Sequence, residues 1–293
     1  MNGFVVLNKG EGVTSFKAAA VLRRIYSEKK TGHTGTLDPM ATGVLPVAMG
    51  KATRFIDFLP FSEKGYTARL RFGITTDTLD ITGKVLSHKD IAVKRETVEA
   101  ILGNFRGEIM QLPPMYSAIQ KDGVRLYDLA RQGIEVEREQ RQVTIKRLEL
   151  TSFNNENEFE IEVLCSKGTY IRSLIADMGE RLGCGAVMTS LHRTLSNGFS
   201  IDEAKTAEEL ESLGEKAIYS VDYPFMCFPE VRVSAAQARR FSNGGELSSD
   251  RLHINARSSY YRVYSPENAF LGLGEITSED IGILWARRVI GND

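Results

Sequence analysis

Asp38 is the side chain best placed to do chemistry. It lies in the run Gly32-His33-Thr34-Gly35-Thr36-Leu37-Asp38-Pro39-Met40-Ala41-Thr42-Gly43-Val44-Leu45-Pro46. The three glycines permit tight or left-handed backbone, and Pro39 restricts Asp38 to extended geometry. A carboxylate held by so stiff a loop can act as nucleophile or general base. Taken alone, an Asp-Pro pair reads as the start of a turn; the whole run is what distinguishes it.

Other groupings fail on spacing. Six residues separate Gly43 from Gly50-Lys51, where a phosphate loop needs four, and Ala52 stands where Ser or Thr should bind magnesium. Gly272-Leu273-Gly274 lacks the third glycine of a dinucleotide fingerprint, because position 277 is Thr. There is no Gly-x-Ser-x-Gly elbow. Asp77 and Asp80 lack calcium-loop spacing and read as a polar turn. Cys165, Cys184 and Cys227 are far apart and odd in number, which suits a reducing compartment. The four histidines are scattered, without zinc spacing. No metal and no cofactor are expected.

The elements that must position Asp38 read as mixed. Phe4–Leu7 reads as a short buried strand. A helix capped by Thr14 or Ser15 is expected to run to about Tyr26, with Phe16, Ala19, Ala20 and Arg23 at helical spacing. Residues 32–43 read as a loop. Tyr66–Ile74 alternates as a strand, with Tyr66, Ala68, Leu70 and Phe72 on one face. Thr97–Leu102 suggests a short helix. Arg141–Ser152 and Glu158–Ser166 read as a hairpin turning through Asn154-Asn155-Glu156-Asn157. Thr169–Leu182 reads as a helix ending near Gly183, and Glu203–Leu213 as a short acidic helix. A boundary is expected near Pro224–Pro229. After it come short strand-like pieces, Val231–Val233, Tyr260–Tyr264 and Phe270–Leu273, separated by turns.

The chain has 293 residues, enough for one large domain or two. Its 37 Lys+Arg against 38 Asp+Glu exclude attachment to a polyanion by bulk charge alone. The balance hides an asymmetry. Residues 1–54 carry eight basic and three acidic side chains, a net +5, whereas residues 196–230 carry eight acids and two bases, a net −6. That is compatible with a local nucleic-acid face, although charge alone favours a solvated helix surface. The apolar run at the N-terminus is too short for a signal peptide, and no stretch approaches a membrane span. A soluble cytoplasmic protein is expected.

The ordered blocks of the sequence resemble the pseudouridine synthase family, and within it the TruB type that acts on uridine 55 of tRNA. Gly3–Lys9 followed by Gly12-Val13-Thr14-Ser15 resembles the family's opening motif, and Gly32–Pro46 its catalytic loop. Further matching blocks are Lys64-Gly65-Tyr66, Thr76-Asp77-Thr78-Leu79-Asp80, Pro113-Pro114-Met115-Tyr116-Ser117-Ala118, Gly123–Gly133 and Ser166–Leu174. They span roughly residues 3–200. Phe270–Glu275 is loosely similar to the small RNA-binding PUA domain.

The resemblance implies an α+β fold. It would have a catalytic domain over 1–224, with a large mixed, mainly antiparallel sheet flanked by helices and a thumb-like insertion at about 121–142. A PUA-like β domain would occupy 229–293. It implies isomerisation of uridine to pseudouridine in the T-arm stem-loop of tRNA, with no cofactor, no obligate protein partner and a monomeric state. Asp38 would be the catalytic carboxylate and Arg172 its opposing cation; without the family, Arg172 reads as a surface residue on an amphipathic helix. Tyr66 would pack on the target base, and Tyr170 and Leu191 would line the pocket. Each of these reads equally as an ordinary structural residue. His33 would support flipped-out nucleotides. Lys9, Lys17, Arg23, Arg24 and Arg54 are candidates for phosphate contacts from the basic N-terminal third. His192 stands where a basic residue is expected, which leaves a nearby phosphate contact open.

Three other readings remain at this point. A guide-RNA-dependent synthase shares the catalytic loop, but the thumb-like segment and the lack of a long basic tail speak against it. An RNA-binding or RNA-folding protein with secondary catalysis would not need Asp38, Tyr66 and Arg172 together. A hydrolase pairing Asp38 with His33 lacks an oxyanion-hole motif and ranks last.

Overall fold

The computed structural model describes residues 1–121, 123–154, 157–254 and 259–291. In chain order the elements are β1 (Gly3–Lys9), α1 (Ser15–Ile25), β2 (Thr31–His33), β3 (Thr42–Met49), β4 (Lys64–Phe72), β5 (Ile74–Thr76), β6 (Val85–His88), α2 (Arg95–Leu102) and β7 (Gly107–Gln111). Next come β8 (Gln120–Lys121), β9 (Val124–Arg125), α3 (Leu126–Arg131), β10 (Arg141–Phe153), β11 (Glu158–Cys165), α4 (Ile171–Arg181), β12 (Ala186–Ser196), β13 (Phe199–Ser200) and α5 (Ala207–Leu213). The last part holds β14 (Glu230–Arg232), α6 (Ala235–Ser242), β15 (Leu247–Ser248), β16 (Tyr260–Tyr264), β17 (Phe270–Glu275) and β18 (Ile283–Val289).

The large sheet has the order β1-β3-β12-β4-β11-β10-β7, with β2 on β3 and β13 on β12. Its pairings are antiparallel except β3 with β12, which is parallel and limited to His192↔Thr42 and Arg193↔Gly43. The sheet is therefore nearly split between β3 and β12, and the Asp38 loop lies at that split. The hairpin of β10 and β11 forms as its alternation predicts; residues 155–156 of its turn lie outside the described residues.

The expected face of Tyr66, Ala68, Leu70 and Phe72 is buried in full. It packs with Leu174, Ile175 and Met178 of α4 and with Val98 and Leu102 of α2. Helix α4 comes close to the sheet because Gly179 has no side chain: a Cβ there would lie 2.1 Å from the Ala186 nitrogen. On the other side of the split, Ala18, Ala19 and Leu22 of α1 pack on Val5, Leu45 and Val47. The expected face of α1 is thus rotated: Phe16 is exposed, with the Arg23 guanidinium over its ring. Thr14 is the cap, accepting from the Lys17 amide, and Ser15 is freed for another task.

The C-terminal part folds as a second sheet, β14-β16-β17-β18-β15, around Val231, Phe241, Val263 and Leu284. It docks on the 3-10 turn Gly50–Phe58. Phe270 packs on Phe55 with ring centroids 5.8 Å apart, Arg288 lies over the Phe58 ring, and Arg54 Nη1 donates to the Ile290 carbonyl at 3.0 Å. Among the described residues, no helix is long and apolar enough to cross a membrane.

Candidate active site

The loop between β2 and β3 carries Asp38, and buried groups fix it from three sides. Ser15 Oγ accepts from the Leu37 amide at 2.8 Å and donates to the Leu37 carbonyl at 3.1 Å. Lys9 Nζ donates to the carbonyls of Gly10, Val13 and Pro39 at 2.9, 2.8 and 3.1 Å. Arg193, with no exposed surface, donates Nε to Val44 at 2.7 Å, Nη1 to Thr36 at 3.3 Å and Nη2 to Gly35 at 3.1 Å, all carbonyls. Gly43 lets β3 reach β12: its φ is +99°, and a Cβ would meet the Arg193 carbonyl oxygen at 2.3 Å. A loop with so many external restraints holds its carboxylate in one place, the condition for preorganised catalysis.

The carboxylate faces a buried guanidinium. Arg172 Nε lies 2.9 Å from Asp38 Oδ2; the Asp38 side chain is 34% exposed and that of Arg172 5%. Arg172 Nη1 donates to the Thr78 carbonyl at 3.0 Å and Nη2 to the Tyr116 carbonyl at 2.8 Å. Nη1 also lies 3.5 Å from Asp80 Oδ2. Asp80 is itself fixed: its Oδ1 accepts from the Thr78 hydroxyl, the Thr82 amide and the Thr82 hydroxyl. Arg172 is thus a buried hub and not a residue on a solvated helix face. It sits at the start of α4, where the helix packs on the sheet, and its charge is balanced by two carboxylates.

Burial pushes the Asp38 carboxyl above the usual range; Arg172 pulls it back, and the neighbouring Asp80 charge adds to the rise. Tyr66, buried, is pushed up to about 12 by desolvation, so its hydroxyl stays protonated. Leu37, Tyr66, Ile171 and Leu191 belong to one apolar cluster, and Leu191 stands opposite Ala68 in the register of β12 and β4. Tyr170 is the residue before α4; its backbone is clamped by Gln111, which donates to the carbonyl at 3.0 Å and accepts from the amide at 2.7 Å. His33 ends β2, with its Nδ1 buried; desolvation, Arg193 and Lys64 all favour its neutral form.

The structure therefore gathers Asp38, Arg172, Tyr66, Leu191 and Tyr170 around one end of β4, with His33 on the flank. Lys9 is corrected. It was expected on a phosphate, but it is 1% exposed and its ammonium is spent on three carbonyls. Burial lowers it to about 8. Strand β1 ends the path of the large sheet, yet both its faces are covered, Phe4 and Val6 in one apolar cluster and Val5 and Leu7 in another, which the sequence's charge count did not show. Lys17 and Arg24 project from α1 into solvent, Arg23 Nε donates to Thr31 Oγ1, and Arg54 is exposed with one nitrogen committed to Ile290. His192 Nδ1 shares a 2.8 Å hydrogen bond with Thr42 Oγ1, tying β3 to β12. Asp80, Arg193, Ser15 and Gln111 were not assigned roles at the site by sequence; Asp80 and Ser15 carried a signal, as the last residues of the blocks Thr76–Asp80 and Gly12–Ser15.

This arrangement matches a known pattern along its whole length. The family described as TruB family pseudouridylate synthase (N terminal domain) matches residues 23–171. The chain belongs to the TruB family of pseudouridine synthases. The TruB C-terminal families match residues 172–220 and 229–290. A protein named tRNA pseudouridine synthase B from Clostridium perfringens is 43% identical over 279 residues, covering 94% of this chain and 95% of its own length. One of the same name from Chromobacterium violaceum is 43% identical over 297 residues, covering 100% of this chain and 95% of its own. The solved structure described as a Cbf5-Nop10-Gar1 complex superposes with a TM-score of 0.75 at 26% identity, covering 98% of this chain and 84% of that one. The α+β mixed sheet expected from sequence is the architecture of this TruB-type chain.

Proposed function

We propose that this chain isomerises uridine to pseudouridine in tRNA, at position 55 of the T-loop. The observation that supports this best is Asp38: a carboxylate beside the apolar cluster of Leu37, Tyr66, Ile171 and Leu191, paired with the buried guanidinium of Arg172. The reaction breaks the C1′–N1 bond and joins C1′ to C5. The product is an isomer, so atoms and electrons balance without a cofactor. The reacting group needs an ionised carboxylate shielded from water. Arg172 supplies the opposing charge, and Asp80 with the Thr78 and Tyr116 carbonyls keeps Arg172 aimed. Asp38 then attacks C1′ or C6, or takes a sugar proton to form a glycal.

Extracting the base from its stack costs a few kcal/mol. The Tyr66 ring packing on uracil, the Leu191 wall and Tyr170 recover that cost, and His33 supports the flipped-out nucleotides. Lys17, Arg23, Arg24 and Arg54 hold the arm through phosphates, which position without reading sequence. The relatives' name, tRNA pseudouridine synthase B, supports tRNA as substrate. The catalytic domain spans 1–224, with a thumb at 121–142, and the PUA-like RNA-binding domain 229–293. The enzyme acts in the cytoplasm as a monomer without a protein partner.

The test is carbodiimide mapping by reverse transcription on an unmodified tRNA transcript incubated with the enzyme alone. One stop at uridine 55, lost when that uridine is cytidine, is expected. A stop elsewhere overturns the position, and no stop without a guide RNA overturns the stand-alone reading.

A further inference from the structure

Lys64 opens β4 two residues before Tyr66 and so lies on the same face of the strand. A Cβ on Gly35 would lie 2.3 Å from Lys64 Nζ and 3.7 Å from Arg193 Nη1. Two cationic heads thus converge on one glycine, three residues before Asp38. Among the described residues neither has a carboxylate partner; the Cys165 thiol lies near Lys64 and the Tyr66 hydroxyl near Arg193. Among the described residues Lys64 makes no ion pair and no hydrogen bond through its ammonium, and Arg193 spends its guanidinium on carbonyls. Desolvation and the Arg193 charge lower Lys64 to about 8. A lysine kept in such a place costs stability unless an anion completes it.

Resting on the reading of the chain as an RNA-modifying enzyme, we propose that Lys64, backed by Arg193, receives one phosphodiester oxygen of the strand beside the flipped-out uridine. Lysine suits this as a compact point charge with rotatable donors. Arg193 cannot take the role itself, because its nitrogens already fix the loop; it contributes field. Gly35 keeps the ammonium's place open. The contact would lock the backbone next to the target nucleotide at the loop that carries the carboxylate, coupling strand docking to alignment of the sugar against Asp38.

The test is a double-mutant cycle between protein and RNA. A T-arm stem-loop is made with a neutral methylphosphonate at each phosphate flanking the target uridine in turn. Binding is measured to Asp38→Asn protein, which does not turn over, with and without Lys64→Met. One neutralised phosphate should weaken binding to Asp38→Asn by about tenfold and add nothing for Asp38→Asn/Lys64→Met. Lys64→Met should also lower the slope of log affinity against log salt by about 0.7. Gly35→Ala is the second route: its methyl displaces the ammonium tip from backbone space open to alanine, and it should cancel the same phosphate effect. Equal losses at every phosphate with and without Lys64 would overturn the assignment, as would an unchanged salt slope in both variants. Pseudouridine formation by the wild type on the unmodified stem-loop is read alongside, so that failure of the enzymatic reading is told apart from failure of the Lys64 assignment.

Discussion

Arg172→Met is the perturbation that most sharply separates a buried hub from a surface cation. Methionine fills much of the same volume but offers no donors. Its introduction strands the Thr78 and Tyr116 carbonyls, now bonded at 3.0 and 2.8 Å, and leaves Asp80, 7% exposed, without its cation. Removing one member of a buried pair costs about 3–5 kcal/mol. The Asp38 side of the pair adds less, because a third of that side chain meets solvent. At roughly 2–4 °C per kcal/mol for domains somewhat smaller than this chain, the melting temperature should fall by on the order of 10 °C. Thermal and urea unfolding measure this. The double variant Arg172→Met/Asp80→Asn should recover about 1–3 kcal/mol, since the orphaned charge is gone. An Arg172→Met protein within about 1 kcal/mol of wild type would refute the hub, and so would a double variant less stable than the single.

Three further outcomes follow from the same geometry. Asp38→Asn should raise stability at pH 7: the carboxyl is pushed upward on folding, so the folded state binds more protons than the unfolded one, and wild-type stability falls as pH rises from 3.8 through the folded value; unfolding curves of the two proteins should converge at low pH. Lys9→Met should destabilise by about 2–4 kcal/mol, because three carbonyls lose a charged donor, while the salt slope of RNA binding stays at the wild-type value. Gly179→Ala should cost about 1–3 kcal/mol and lower kcat more than it raises KM, since the new methyl pushes α4, and with it Arg172, off β12.

Much of the frame was legible in the sequence where pattern and physics agree. The alternation through Tyr66, Ala68, Leu70 and Phe72 gave both the strand and its buried face. The Asp38 loop was legible because its glycines and Pro39 restrict the chain locally. Strand β3 was not, because its first residues, Thr42 and Gly43, fall in the Gly-rich stretch that reads as a loop. Pro46 is tolerated there opposite Val6; the parallel pairing with β12 stops at Thr42 and Gly43, so no long ladder needs its missing amide. Arg172 on its own looked like a solvated helix residue, since its burial depends on Thr78, Asp80 and Tyr116 from distant segments. Lys9 misled for the reverse reason: its three carbonyl partners are assembled only when residues 10–13 meet Pro39 in the fold. Arg193 carried no local signal at all, although it is the largest fully buried side chain behind the reactive loop. Local restraint is written along the chain; convergence of distant groups on one charge is not.

The central claim is that Asp38 drives isomerisation of a uridine. Formation of pseudouridine must expel the hydrogen on C5, so the decisive measurement is tritium release from a tRNA transcript labelled at C5 of uridine. Wild type should release tritium equivalent to one uridine per tRNA, while Asp38→Asn should release none yet still bind the transcript. Release by Asp38→Asn at the wild-type rate, or none from wild type with binding intact, would contradict the account.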